Sequence, residues 1–271
     1  MYTTHWGLTD APFEEHYDAR LYYAAASHHG ALLKLQYLVE ASKSLGLLVG
    51  EHGLGKTMLT HVLAAELETL GVRFIRVTFP TLSPDEILRY IALRLQADIP
   101  NDSANVPADV VLARLEERIA TLGQSNERVA VIIDEAHLLE TPHLLRLQLF
   151  LNSTVGHGLS LILAGRSDLL PKVRRVPSLN DRVSVRAALE PLTETETELY
   201  IAQRLAACGR EEIIFDRTAI RTLWDLSRGV PRRLNQLCDL AMLIGFADDQ
   251  RQLTRVEVAA AAEELCTVSF D

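Results

Sequence analysis

The stretch Gly50-Glu51-His52-Gly53-Leu54-Gly55-Lys56-Thr57 decides how the rest of the chain is read. It follows the apolar run Leu45-Gly46-Leu47-Leu48-Val49 and opens a helical pattern over residues 58–70, so it joins a strand to a helix. Glycines at 50, 53 and 55 let the backbone turn tightly and aim successive N–H groups into one concavity, where the helix N-terminus adds partial positive charge. A phosphate chain fits such a cradle without a matched side chain at every oxygen. Lys56 would reach the β- and γ-phosphates, and the Thr57 hydroxyl would ligate Mg²⁺. Gly50, Glu51, His52, Gly53, Leu54, Gly55, Lys56, Thr57 and Met58 are therefore the expected nucleotide-binding residues. The bland alternative, a glycine-rich turn with an incidental lysine, does not account for the flanking strand and helix.

Working outward, a helix is expected before the first strand, with Ser27 as N-cap and Ala31, Leu32, Leu35, Leu38 and Val39 at helical spacing. Downstream, residues 72–78 alternate as a strand. Ser83-Pro84-Asp85-Glu86 then supplies an N-cap, an N1 proline and a capping-box glutamate for a helix to about residue 95. Residues 97–108 read as a loop and 109–122 as a helix. Val129-Ala130-Val131-Ile132-Ile133 is a continuous apolar run of the kind buried on both faces of a parallel sheet. Residues 159–164 and 183–185 are further strands, and strands alternating with helices mean β-α-β units. From Glu190 onward the pattern is helical, with capping boxes at Thr193-Glu194-Thr195-Glu196 and Thr254-Arg255-Val256-Glu257 and a helix stop at Gly229. The expected organisation is an α/β parallel-sheet αβα sandwich over 1–189, including an aromatic-rich N-terminal segment, followed by a small all-helical domain over 190–271.

Asp134-Glu135-Ala136-His137 stands at the end of the apolar strand, where ligands of parallel sheets bind. Asp134 would hold Mg²⁺ through its water shell, and Glu135 would orient and polarise the water that attacks the γ-phosphate. An acidic helix cap is the competing reading. His137 lacks a second His or Cys at zinc spacing, so no metal role is assigned to it. Arg166 and Ser167, after the next strand, are candidates to sense the γ-phosphate, against the alternative of a surface loop. Residues 166–186 hold Arg166, Lys172, Arg174, Arg175, Arg182 and Arg186 against Asp168 and Asp181. In an oligomeric ATPase one such arginine stabilises transition-state charge in the neighbouring site, here Arg182, with Arg174 and Arg175 as alternatives. A surface for nucleic acid or an acidic partner is the competing use. Arg232 lies in the first turn of a proline-started helix, unfavourably for the macrodipole unless an anion is near.

The chain has 271 residues, 48% apolar and 23% charged, enough for a large domain with a smaller companion. A formal charge of −9 gives no overall attraction to nucleic acid or acidic membrane. Cys208, Cys238 and Cys266 are odd in number and widely spaced, which suggests buried thiols in a reducing compartment. The start of the chain shows no secretion signal, and no apolar run suits a bilayer, so a cytoplasmic protein without a direct membrane span is expected.

The phosphate loop at 50–57, the acidic box at 134–137 and Gly229-Val230-Pro231-Arg232 resemble, in order and spacing, the AAA+ ATPases. Trp6-Gly7-Leu8 with Pro12-Phe13, the helix from Ser27-His28 to Leu38, and the residues through Asn235-Gln236-Leu237-Cys238-Asp239 look like the bacterial ExeA or GspA type. The resemblance implies ATP with Mg²⁺ as cofactors, clamped between the αβα domain and a helical lid. It implies sensor 2 at Arg232, an N-terminal segment near the adenine, and a homo-oligomer that completes each site in trans. It further implies a protein partner in a secretion, envelope or sorting system, or, as in the relatives TnsC and TniB, in transposition. There DNA would be the partner, a role the net charge does not favour.

Overall fold

The computed structural model describes residues 2–14, 17–78, 81–99, 106–212 and 214–267. The middle of the loop expected over 97–108 lies outside the described residues. The chain forms two compact units. One comprises Ser27–His52 and Leu59–Leu189, the other Met1–Ala26, Gly53–Met58 and Glu190–Asp271.

Elements run in the order α1 (Tyr2–His5), α2 (Ala26–Glu40), β1 (Leu45–Val49), α3 (Lys56–Thr69), β2 (Arg73–Val77), α4 (Pro84–Arg94), α5 (Ala108–Gln124) and β3 (Val129–Ile133). They continue with α6 (Thr141–Ser153), β4 (Leu159–Gly165), α7 (Leu169–Arg174), α8 (Pro177–Asn180), β5 (Val183–Ala188), α9 (Glu194–Ala207), α10 (Arg217–Ser227), α11 (Pro231–Ala247) and α12 (Arg255–Thr267). In the first unit five parallel strands pair in the order β2-β3-β4-β1-β5. β1, β3 and β4 are buried along their whole length, which is why they read as unbroken apolar runs. One face of the sheet packs Leu47, Val131, Ile133, Leu161 and Leu163 against Ile87 and Ile91 of α4, Leu115 and Ile119 of α5, and Leu147 and Phe150 of α6. On the other face, Ser160 donates through Oγ to the carbonyls of Leu38 and Lys43 at 3.4 and 2.7 Å, holding the end of α2 over β4. His61 of α3 meets Arg76 of β2 on that side. Helices thus cover both faces, as an αβα sandwich requires.

Several elements differ from the sequence reading. The helix before β1 begins at Ala26, so Ser27 lies within its first turn and sets its Oγ 3.2 Å from His28 Nδ1. β5 extends to Ala188; it is an edge strand whose exposed face carries Ser184, Arg186 and Ala188, so polar residues interrupt its apolar signal. The aromatic N-terminal segment, grouped above with residues 27–189, packs in the helical unit instead. Trp6, Leu8, Phe13 and Leu21 share a core with Leu192, Tyr200, Ile201, Leu223, Leu234 and Leu237. Trp6 donates from Nε1 to the Met242 carbonyl at 3.0 Å.

The same unit buries a charge. Arg204 donates to the Pro12 carbonyl at 2.5 Å, the Glu14 carbonyl at 3.2 Å and the Tyr200 hydroxyl at 2.7 Å, and Tyr200 donates to Asn235 Oδ1 at 2.7 Å. Backbone and hydroxyl oxygens thus satisfy the guanidinium, which a carboxylate-poor core could not otherwise hold.

Cys208 and Cys238 are buried as expected, but Cys266 is exposed near the end of α12. Burial pushes the Cys208 and Cys238 thiols up, Cys238 furthest, so both stay protonated and inert at mildly alkaline pH. With a disulfide-exchange chromophore at pH 8, native protein should release one equivalent and denatured protein three. Rapid labelling of two or more native thiols would contradict this packing.

Candidate functional site

The loop between β1 and α3 has the backbone its glycines predict. Gly50 extends the strand ladder, donating from its N–H to the Gly165 carbonyl at 3.1 Å. Gly53 and Gly55 take φ of +80° and +89°, left-handed values that side chains resist. A Cβ on Gly53 would also stand 3.0 Å from Arg232 Cβ and Val230 Cγ1. The contact is close because the Arg232 N–H donates to the Gly53 carbonyl at 3.2 Å. Two residues expected to serve one anion, in the phosphate loop and at the start of α11, are joined through their backbones.

Lys56 is the first residue of α3 and is buried, with 6% of its surface exposed. A cation there opposes the helix dipole and loses hydration, a placement that an anion in the loop rationalises. Thr57 follows in the first turn, and Glu51 and His52 are exposed.

Asp134 and Glu135 stand just past the carboxyl end of β3. β4 lies between β3 and β1, so Asp134 and Gly50 leave the same end of the sheet two strand spacings apart, about 10 Å. Asp134 is 4% exposed. Its Oδ1 accepts from the Glu135 N–H at 2.9 Å, and its Oδ2 lies 2.6 Å from Arg76 Nη2. Arg76 also donates from Nη1 to His61 Nε2 at 2.5 Å. Burial and the adjacent Arg76 guanidinium lower the His61 pKa, with Asp134 opposing, so the ring stays neutral and accepts that bond.

Glu135 occupies the left-handed region at φ 50°, ψ 32°, strained for a non-glycine residue. Its neighbours hold it there. The Leu138 N–H donates to the Glu135 carbonyl at 2.9 Å, and Lys172 of α7 donates to the His137 carbonyl and, at 3.3 Å, to the Leu139 carbonyl. Gly165 lets the turn approach β4, since a Cβ there would lie 2.9 Å from the His137 nitrogen. The Glu135 carboxylate is 3.2 Å from His137 Nδ1 and 41% exposed, open to water as a base must be.

The remaining candidates fall in three places. Arg166 and Ser167 turn toward the loop after β1, where Ser167 donates to Glu51 and Arg166 Nε lies 3.8 Å from Glu51 Oε2. Both sensor candidates thus engage the phosphate loop through its carboxylate. Arg182 is half-buried and donates to Asn152 of α6 at 2.5 Å. Arg174 and Arg175 are exposed at the end of α7. Sequence reasoning assigned no role to Arg76 or His61 and counted Lys172 only as part of the basic run. No local signal marked Arg76, which lies on the edge strand β2, or Lys172, whose role is to cap carbonyls distant in sequence.

Residues 39–173 match the AAA domain family. The chain carries the AAA domain of the AAA+ ATPases. Over 270 residues, 98% of its length, it is 28% identical to general secretion pathway protein A of Aeromonas hydrophila, and it spans about half, 48%, of that relative. Among solved structures the AAA+ fold recurs in Cdc6p of Pyrobaculum aerophilum, with TM-score 0.74 and 16% identity over 94% of this chain and 70% of that one. It recurs also in the Aeropyrum pernix ORC1 protein in complex with DNA, with TM-score 0.65 and 19% identity over 96% and 69%. The AAA+ assignment accounts for the parallel sheet and for the loop opening α3. No described helix is long and apolar enough to cross a membrane.

Proposed function

We propose that this AAA+ ATPase hydrolyses ATP with Mg²⁺ and uses the cycle to remodel or assemble a secretion- or envelope-associated complex. The observation that carries the nucleotide chemistry is the β1–α3 loop, with left-handed Gly53 and Gly55 leading into buried Lys56. Residues 27–189 form the nucleotide-binding part and residues 190–271 the lid. Backbone N–H groups of residues 50–57 and the Lys56 ammonium bind the phosphates. Thr57 and Asp134 offer the hard oxygen donors that Mg²⁺ prefers. Bound there, the ion neutralises charge on the phosphate oxygens. Glu135 orients the attacking water and takes its proton, while Arg232 approaches the phosphates from α11. Arg166 and Ser167 report phosphate occupancy through Glu51. In a homo-oligomer Arg182, with Arg174 and Arg175 as alternatives, serves the neighbouring site.

Replacement of Lys56 by Ala tests the reading directly. Charge-assisted contacts to phosphate are worth about 1.5–3 kcal/mol, so equilibrium titration with a fluorescent ATP analogue should show affinity lowered by about 10²-fold. Unchanged affinity would overturn the nucleotide site. The secretion role is supported by similarity along 98% of the chain to the secretion pathway protein. On this reading the domain works on the cytoplasmic side, where ATP is available. Capture of envelope-fraction proteins by the ATP-locked Glu135→Gln form tests it, and recovery identical with and without ATP would count against it.

A second reading is a DNA-associated ATP switch. It draws on exposed Arg174, Arg175 and Arg186 and on the DNA-bound ORC1 relative in fold. Genuine phosphate contacts make binding fall steeply with salt. If duplex DNA neither binds at low salt nor stimulates turnover, this reading fails.

A further inference from the structure

We infer that Arg76 is a resident counter-cation of Asp134 and sets the Mg²⁺ concentration at which the site loads. The inference rests on the proposed metal role of Asp134. Arg76 lies on β2 and Asp134 just past the end of the neighbouring β3, and both side chains are largely buried, 19% and 6% exposed. Their 2.6 Å contact is a charge-assisted bond in a low-dielectric setting, where such bonds are strong. Any divalent ion approaching Asp134 must weaken that bond and tolerate a fixed positive charge beside it.

The pose is also incomplete on the arginine side. Arg76 Nε is buried with no hydrogen-bond acceptor, although its other two nitrogens are engaged by Asp134 and His61. A buried N–H without a partner is destabilising, so the guanidinium gives up less on leaving Asp134 than a fully satisfied one would. His61, neutral and on α3, still holds Nη1 when the Asp134 contact opens. The result is a guanidinium that neutralises Asp134 when metal is absent and yields when Mg²⁺ arrives with nucleotide. Because β2 is an edge strand, metal loading shifts a charge at the border of the sheet.

Arg76→Gln keeps a donor for Asp134 and removes the charge, whereas Arg76→Lys keeps the charge. The readout is the Mg²⁺ midpoint for binding a fluorescent non-hydrolysable ATP analogue, with wild type and Asp134→Asn alongside. Arg76→Gln should lower the midpoint about tenfold, and Arg76→Lys should stay near wild type. An Arg76→Gln midpoint equal to or above wild type, with Asp134→Asn having lost its Mg²⁺ dependence, overturns the inference and leaves the metal site standing. An Asp134→Asn titration identical to wild type instead removes the metal role itself. Should Arg76→Gln not fold, arginine side-chain NMR of the wild type decides. The signal assigned to Arg76 through Arg76→Lys must lose its exchange protection when Mg²⁺ and analogue are added, and retained protection overturns the inference.

Discussion

Glu135→Gln binds ATP as tightly as wild type and releases phosphate at least about a hundredfold more slowly, since a positioned general base contributes about 10²–10⁴ in rate. Gln has the shape of Glu, so it changes neither the loop at 50–57 nor Lys56. What it lacks is a basic carboxylate. The strained backbone at φ 50° explains why that carboxylate can be spared from structural duty. The turn is fixed by bonds to main-chain groups: Glu135 N–H to Asp134, Leu138 N–H to the Glu135 carbonyl, and Lys172 to the carbonyls of His137 and Leu139. Among the described residues the side chain meets His137 Nδ1, at 3.2 Å and without hydrogen-bond alignment. Binding and turnover are therefore separable at this residue. Parallel measurement of analogue affinity and phosphate release checks both halves. Turnover within about tenfold of wild type would move the base elsewhere.

The parts of this site legible in the sequence are those encoded by neighbours along the chain. β1 and β3 were bounded correctly because both faces of each strand are buried, leaving no polar residue to blur the run. The Ser83–Glu86 and Thr193–Glu196 boxes were readable because the cap and its partner lie within one turn, and both are formed. What was not legible depends on pairing across distance. Arg76 and Asp134 are 58 residues apart, and nothing local distinguishes Arg76 from Arg73, which instead meets half-buried Glu127 at 2.7 Å. The N-terminal aromatics announced burial without saying in which core, since Trp6 finds its acceptor 236 residues away at Met242. β5 was read short because an edge strand alternates, and a three-residue apolar signal under-reports it.

Gly229→Ala should be the most destabilising single methyl in the helical unit, lowering the melting temperature by about 15 °C or more. The sequence marks this glycine as a helix stop. The structure gives it a second constraint. φ is +69°, which for alanine costs about 1–2 kcal/mol. The added Cβ would stand 2.0 Å from the Leu192 carbonyl oxygen and 2.9 Å from its nitrogen and carbon, all backbone. Leu192 has nowhere to go: its side chain is buried, its N–H donates to the Gly229 carbonyl at 2.8 Å, and its carbonyl accepts from Trp224 Nε1 at 3.1 Å. Relieving the overlap breaks those bonds at once, each break leaving a buried polar group unsatisfied at about 1–3 kcal/mol. Gly71→Ala is the matched control, with a similar φ of +74° but nothing within 4 Å of the added carbon, so only the backbone term of about 1–2 kcal/mol applies. The difference between the two variants isolates the packing contribution. Because α11 begins two residues on, and the Arg232 N–H meets the Gly53 carbonyl, Gly229→Ala should also weaken nucleotide binding, as Gly71→Ala should not. Equal melting temperatures for the two variants would mean that Leu192 can yield, and that the junction before α11 is softer than its hydrogen bonds indicate.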